Sequence, residues 1–337
     1  GILGNITLNQ RNFDVTDLPE SWSELWQGKA FRGAGQNFSM AFQPGDELFN
    51  YQISLSDPRF LQTDYSLGGT AGWTRRTFKD YDEEKTYSRV SLGRRFGDIW
   101  SGSVHMSVNR VELTDIDNDV PLEIFNDRGP AMNNYIGITA TRTTLKPFAR
   151  PQEGSRFKLS VDQYGVPGGD HTFTKTSTSY TNYFTVDRDF IGRATTLRLD
   201  GELGYIFGGD APTYSRFHLG GRSFRGFDYR TISPKGTPRF AGGATDIPIG
   251  GDWTIFLGAQ YEFPVAGESI SIVFFCDSGT VVNSPSFDDY RVSIGTGVRL
   301  HIPALGQAPL AFDFGIPIVK QDDDEKKTFS FSVQLPF

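Results

Sequence analysis

Apolar and polar residues alternate with a period of two along nearly the whole chain, and helical periodicity is almost absent. In the segment 196–205, Leu197, Leu199, Gly201, Leu203 and Tyr205 make one face, and Arg198, Asp200, Glu202 and Gly204 make the other. One strand of this kind fits a soluble sandwich as well as a barrel in a bilayer, because either can hide the apolar face. Their number narrows the choice. Strands are expected near residues 3–10, 36–43, 48–56, 65–78, 85–96, 99–113, 132–145, 155–164, 172–186, 195–207, 254–265, 269–282, 289–302, 308–318 and 327–337, about fifteen in all. A short strand near Arg216 to Gly221 brings the count to about sixteen, an even number as in bacterial outer-membrane barrels. Many of these segments have the ten or so residues that a tilted strand needs to cross a bilayer. No run of about 18 apolar residues exists for a transmembrane helix, and a mean hydropathy of -0.36 is compatible with strands greasy on one face only. The expected fold is all-β: one transmembrane antiparallel β-barrel domain spanning residues 1–337.

Charge and chemistry remove other classes. A formal net charge of -7 with no basic cluster argues against a nucleic-acid partner. The single cysteine, Cys276, rules out an intrachain disulfide and a cysteine metal cluster, and its apolar strand suits a lipid-facing or packed thiol. His105, His171, His218 and His301 lack ligand spacing. Of the two acidic runs, Asp115 to Asp119 lacks the glycine and distal glutamate of a calcium loop, and Asp322 to Glu325 reads as a solvated hairpin tip. Ser223 is not in a nucleophile elbow, and no phosphate-binding loop is present. No catalytic residue, metal or cofactor is expected. The chain opens on Gly1-Ile-Leu-Gly, already strand-like, as a mature fragment of a longer precursor would.

Two connections are too long to be turns. The first, from Asn12 to Gly35, carries Leu18, Trp22, Leu25 and Trp26 on roughly one side after Ser21, a helix N-cap type; a short amphipathic helix or a loop with interfacial tryptophans fits it. The second, about residues 207–253, holds Gly220 and Gly221 followed by Phe224-Arg225-Gly226-Phe227. Connections of that length in compact domains are usually functional. Two later strands each place one acid on the inward face, Glu262 and Asp277, and both are expected partners of Arg225. A guanidinium forked between carboxylates would pin the loop to an inner wall.

The last segment sets Phe329, Phe331, Val333, Leu335 and Phe337 on one face against Ser330, Ser332 and Gln334 on the other. Together with the glycine-led arginine motif, with Phe274-Phe-Cys-Asp-Ser-Gly279 and with Ser293-Ile-Gly-Thr-Gly-Val-Arg-Leu-His-Ile-Pro303, this terminal strand resembles the barrel of the BamA superfamily. That family includes assembly factors, two-partner secretion transporters and organellar import channels. The Phe at 224 stands where the family motif has Val, leaving a bulky apolar residue ahead of the arginine. The resemblance reaches, less specifically, to Gly4-Asn-Ile-Thr-Leu-Asn-Gln-Arg-Asn-Phe13 and to Tyr51-Gln-Ile-Ser-Leu-Ser-Asp-Pro58, and so covers nearly the whole chain.

The resemblance implies an integral protein of a Gram-negative-type outer membrane that folds and inserts client barrel proteins through a lateral gate. Its first strand would be Gly4, Asn5, Ile6, Thr7, Leu8, Asn9 and Gln10, and its last would be the terminal aromatic strand. The implied partners are the outer-membrane bilayer, unfolded client outer-membrane proteins and accessory assembly proteins. The POTRA modules that the family carries ahead of its barrel are expected to be missing from this chain. The alternatives are a two-partner secretion pore, which shares the same arginine loop, and the barrel portion of a fused outer-membrane phospholipase, whose hydrolase would lie outside this chain.

Overall fold

The structure, a computed structural model, describes residues 6–27, 30–147, 151–240, 242–243, 246–267, 269–302 and 309–333. The strands are β1 (Ile6–Phe13), β2 (Arg32–Gln43), β3 (Leu48–Asp57), β4 (Tyr65–Thr77), β5 (Asp82–Phe96), β6 (Trp100–Thr114), β7 (Gly129–Met132), β8 (Tyr135–Thr143) and β9 (Gly154–Tyr164). They continue as β10 (Thr174–Arg188), β11 (Ala194–Phe207), β12 (Gly226–Phe227), β13 (Trp253–Ala266), β14 (Ile270–Val282), β15 (Arg291–Leu300), β16 (Leu310–Val319), β17 (Lys326–Lys327) and β18 (Phe329–Val333). Two single-turn helices, α1 (Trp22–Trp26) and α2 (Leu122–Asn126), sit in connections. No described helix is long and apolar enough to cross a membrane.

One antiparallel sheet holds sixteen strands. Its path runs β1-β2-β3-β4-β5-β6-β8-β9-β10-β11-β13-β14-β15-β16-β18, and the sixteenth member, β7, pairs with β6 off that path. The short strand expected at 216–221 does not form in this sheet. Gly220 and Gly221 take positive φ of 127° and 63°, which turns the chain, and only isolated bridges form there, Phe217 to Gly251 and Leu219 to Ile232.

By contact density the chain divides into two compact units. The first comprises Gly1–Asn118, Asp127–Ala140 and Asp162–Thr172. In it β5 and β6 pair without a register break from Asp82 opposite Thr114 to Phe96 opposite Trp100. Along β6, buried His105, Ser107 and Asn109 alternate with exposed Val104, Met106 and Val108. Apolar residues out and polar residues in is the pattern of a strand whose outer solvent is lipid. The buried amides are satisfied locally: the Asn109 side chain donates to the Asn133 carbonyl at 2.8 Å, and the Asn109 backbone N–H to Asn134 Oδ1 at 2.9 Å.

The second unit, Asp119–Asn126, Thr141–Val161 and Phe173–Phe337, contains the long connection. Its strands repeat the inversion, with Leu199, Leu203, Tyr205, Leu257, Tyr261, Phe274, Ile294, Phe314 and Ile316 exposed, while Val273, Phe275, Asp277, Ser293 and Asp313 are buried. Cys276 falls on the exposed face of β14. Ladder registers place the ends of β11, β14 and β16 level with the starts of β13 and β15, so the connections 208–252, 283–290 and 320–328 emerge at one end of this unit.

Candidate functional site

The long connection folds as a structured insert with its own small core. Leu219, Phe224, Phe227 and Ile232 from the loop cluster with Phe256 of β13 and Val281 of β14, and Phe217 packs against them. Phe224 meets both Phe227 and Phe256 edge to face, at centroid distances of 5.0 and 5.7 Å. Two aromatics three residues apart, both fully buried, turn Arg225 between them toward the sheet.

The turn that allows this needs glycine at both ends. A Cβ on Gly220 would lie 2.0 Å from the Asp228 carbonyl oxygen. At the other end, Gly226 (φ +93°) rests on Gly315 of β16, where a Cβ would come within 2.6 Å of the Gly226 nitrogen. Backbone therefore lies on backbone at that point, and only paired glycines permit it.

Arg225 is held by Asp277 as a fork. Nε donates to Oδ2 at 2.8 Å and Nη2 to Oδ1 at 2.7 Å, and the Arg225 backbone N–H adds a third bond to Oδ2 at 3.1 Å. Nη1 donates to Gln260 Oε1 at 2.8 Å, and the guanidinium lies 3.6 Å from the centre of the Phe275 ring. The Arg225 carbonyl accepts from Ser293 Oγ at 2.5 Å. The side chains are 12% and 2% exposed, so the pair is largely desolvated and its charges are compensated by geometry, not by water.

Of the two expected acids, only Asp277 reaches Arg225. Glu262 instead accepts from Ser271 Oγ at 2.6 Å. The register explains the difference: Asp277 pairs with Gly258, whereas Glu262 pairs with Val273. Four residues along a strand are about 13 Å. Gln260, on the same face and two residues nearer, takes the place assigned to the second carboxylate. Gln260 also accepts from Arg299 Nη2 at 3.3 Å, and Arg299 Nη1 donates to Asp313 at 2.7 Å, so two buried ion pairs meet at one amide.

Several contributors were not singled out from the sequence. Gln260, Phe275 and Ser293 all follow from counting the β13–β14 and β14–β15 hairpins outward from their turns, a signal the alternation alone does not supply. Asp324 is a correction. The run Asp322 to Glu325 is not a uniformly solvated tip, because the Asp324 side chain is fully buried against Arg291. Its bonds from Nε and Nη2 measure 3.0 and 3.1 Å.

The loop is also braced at its far side by α2. The Glu123 carboxylate accepts from the Thr237 backbone N–H at 2.9 Å and from its hydroxyl at 2.7 Å. Burial works to raise the Glu123 pKa, but these hydrogen bonds outweigh it and hold the carboxyl below the usual glutamate range. Burial lowers the loop's His218 well below the usual imidazole value, and the charges of Arg230 and Lys175 act the same way, against a hydrogen bond to the Arg216 carbonyl that works to raise it. That histidine is neutral near pH 7.

At the proposed gate, Gly4 and Asn5 lie outside the described residues, as do Leu335 and Phe337. Ile6, Thr7, Leu8, Asn9 and Gln10 form most of β1 and pair with β2 from Ile6 opposite Phe42 to Gln10 opposite Phe38. Phe329 and Phe331 of β18 are exposed, and Val333 lies opposite Leu310 of β16.

Strands with an apolar outer face and an arginine loop packed on their polar face are features of an integral outer-membrane β-barrel protein. Residues 30–337 match the Omp85 superfamily domain, and the chain belongs to that superfamily. It is 26% identical over 293 residues, 85% of its length, to the outer membrane protein assembly factor BamA of Nitratidesulfovibrio vulgaris. The chain spans about a third (36%) of that curated relative. Among solved structures, BamA from Haemophilus ducreyi lacking POTRA domains 1-3 matches with a TM-score of 0.79 at 19% identity, over 98% of this chain and 66% of that one. CdiB from Acinetobacter baumannii matches with a TM-score of 0.61 at 16% identity, over 98% of this chain and 55% of that one.

Proposed function

We propose that this chain is the membrane portion of an outer-membrane protein assembly factor. The observation that carries the reading is its likeness, over 85% of its length, to a relative named as such a factor. In this reading the work is exchange of backbone hydrogen bonds: the terminal strand of an unfolded client adds to an exposed sheet edge at a lateral gate formed at the first and last strands. No side chain acts as acid, base or nucleophile. Among the described residues the edges of the sheet are β1 and β18, and β18 pairs with β16 from Phe329 to Val333. The clasped loop keeps the wall next to that edge in a single arrangement. Accessory proteins would act through modules upstream of the barrel.

The test uses the full-length protein in vesicles with an unfolded client barrel, read by the client's conversion to a compact, heat-modifiable form. A synthetic peptide with the client's terminal strand should inhibit that conversion, and a scrambled peptide should not. Unchanged conversion in the presence of the cognate peptide would refute strand addition. The structural likeness to CdiB supports a second reading, a two-partner secretion pore. Release of a soluble partner protein across the membrane, with no client insertion, would establish that one instead.

A further inference from the structure

The outer half of β16 is built for a ladder that does not continue. β16 runs to Val319, yet β18 pairs with it only from Leu310 opposite Val333 to Phe314 opposite Phe329, with one further bond from the Gly315 N–H to the Thr328 carbonyl at 2.8 Å. In an antiparallel ladder alternate residues bond to the same neighbour, so the next donor aimed at the β18 side after Gly315 belongs to residue 317. That residue is Pro317, which has no N–H. The ladder stops for a reason written in the sequence.

The chain returning to β18 pairs with the arginine loop instead. Lys326 and Lys327 of β17 lie antiparallel to Gly226 and Phe227 of β12, the two residues that follow Arg225. The Asp228 N–H donates to the Glu325 carbonyl at 2.9 Å, the Glu325 N–H donates to Thr231 Oγ1 at 2.8 Å, and Lys327 reaches the Asp228 carboxylate at 3.2 Å. The turn is fixed from below by Asp324, which accepts from Arg291 twice and from the Gln321 N–H at 2.8 Å. Both partners are buried, with side chains 4% and 0% exposed. A pair so desolvated gives little net stability over an apolar contact, but it fixes a position strictly, since misplacing either charge strands the other.

We propose that the turn 320–328 is a second latch on the Arg225 loop, with Asp324 as its positioning residue, so that the loop and the arm leading into the last strand are held or released together. The Arg225–Asp277 pair anchors β12 on one side and the Arg291–Asp324 pair anchors β17 on the other. Neither half of the two-stranded sheet has another strand partner among the described residues. Loss of either anchor therefore loosens both halves. The latch stands on hydrogen bonds in one compact unit and does not depend on what the barrel inserts or transports.

Hydrogen–deuterium exchange on the whole chain in detergent micelles tests this. Arg225→Lys, chosen as milder than alanine, should speed exchange by about tenfold or more in residues 224–232 and also in 321–328, more than 50 positions away, while the ladders of β13, β14 and β15 keep their protection. Asp324→Asn should do the same in the reverse direction, exposing 224–232. Cysteines replacing Asp228 and Glu325, in a Cys276→Ser background, should restore protection to both segments in either variant when oxidised and lose it on reduction. Exchange that rises only in the segment bearing the substitution, or a disulfide that restores nothing, would overturn the coupling.

Discussion

The two long connections of this chain meet opposite ends. The first, between β1 and β2, is held by one aromatic stack, Phe31 on Phe13, and otherwise by local polar contacts at the surface: Thr16 to Asp14, the Arg32 N–H to Asp17 Oδ2 at 3.0 Å, and Ser21 Oγ accepting from the Glu24 N–H at the start of α1. Trp22 and Trp26 remain 81% and 88% exposed. The second connection buries two phenylalanines completely and fixes its arginine with five hydrogen bonds, counting the backbone N–H and carbonyl. Both carry aromatics and charges. What separates them is a receiving surface: the second finds a carboxylate, an aromatic ring and a glycine platform on the polar face of β13–β16, so ordering costs are offset by burial. A long connection becomes part of a fold when the wall beside it is already shaped for its side chains.

The largest effect should come from removing Asp277. Asp277→Ala leaves the Arg225 guanidinium buried without its counter-charge, a local cost of about 3–5 kcal/mol. Protease cleavage within 207–253 should accelerate strongly while circular dichroism still reports a strand protein. An unchanged cleavage pattern would make the second connection energetically like the first.

Gly315→Val should follow closely. Its side chain would occupy the place of the Gly226 backbone, and overpacking of this kind costs about 1–3 kcal/mol or more. Loop protection should fall even though no charge is touched. Gln260→Leu should cost about 1–3 kcal/mol by depriving Arg225 and Arg299 of a shared acceptor, whereas Glu262→Gln should leave loop cleavage within about 0.5 kcal/mol of wild type. A larger effect for Glu262→Gln than for Gln260→Leu would restore the two-acid clasp.

A pH effect distinguishes the far side of the loop. The folded-state pKa of Glu123 is depressed, so its contribution is present above the ordinary glutamate value and is lost as pH falls through the lower folded value. Amide protection near Thr237 should decline on acidification below the ordinary carboxylate range, and Glu123→Gln should abolish that dependence. Smallest of all, Trp22→Ser with Trp26→Ser should leave thermal stability within about 0.5 kcal/mol, because neither ring is buried by the protein. A large loss of stability would show that the first connection has a receiving surface too.

The strand architecture was legible because alternation is a one-residue signal that survives almost anywhere in a sheet. The facing of Asp277 was legible for the same reason, as facing can be read from parity. Distance along a strand cannot be read that way. Glu262 and Gln260 share a face, and only the β13–β14 register, with its shift between Pro264 and Ala266, decides which one lies level with Arg225. The sixteenth strand and the role of Asp324 were hidden for another reason. Both depend on where separate connections meet, β7 folding back on β6 and the 320–328 turn meeting β12, and no local pattern encodes such a meeting.

Arg225 and Asp277 act as one unit in pinning the loop, and a double-mutant cycle tests this most directly. Arg225→Ala, Asp277→Ala and the double variant would be compared by the opening free energy of loop amides 219–232 from hydrogen exchange. If the two residues form the clasp, the double variant should lose much less than the sum of the single losses, with a coupling of about 1–3 kcal/mol. Additive losses, or single variants whose loop amides exchange as in wild type, would contradict it.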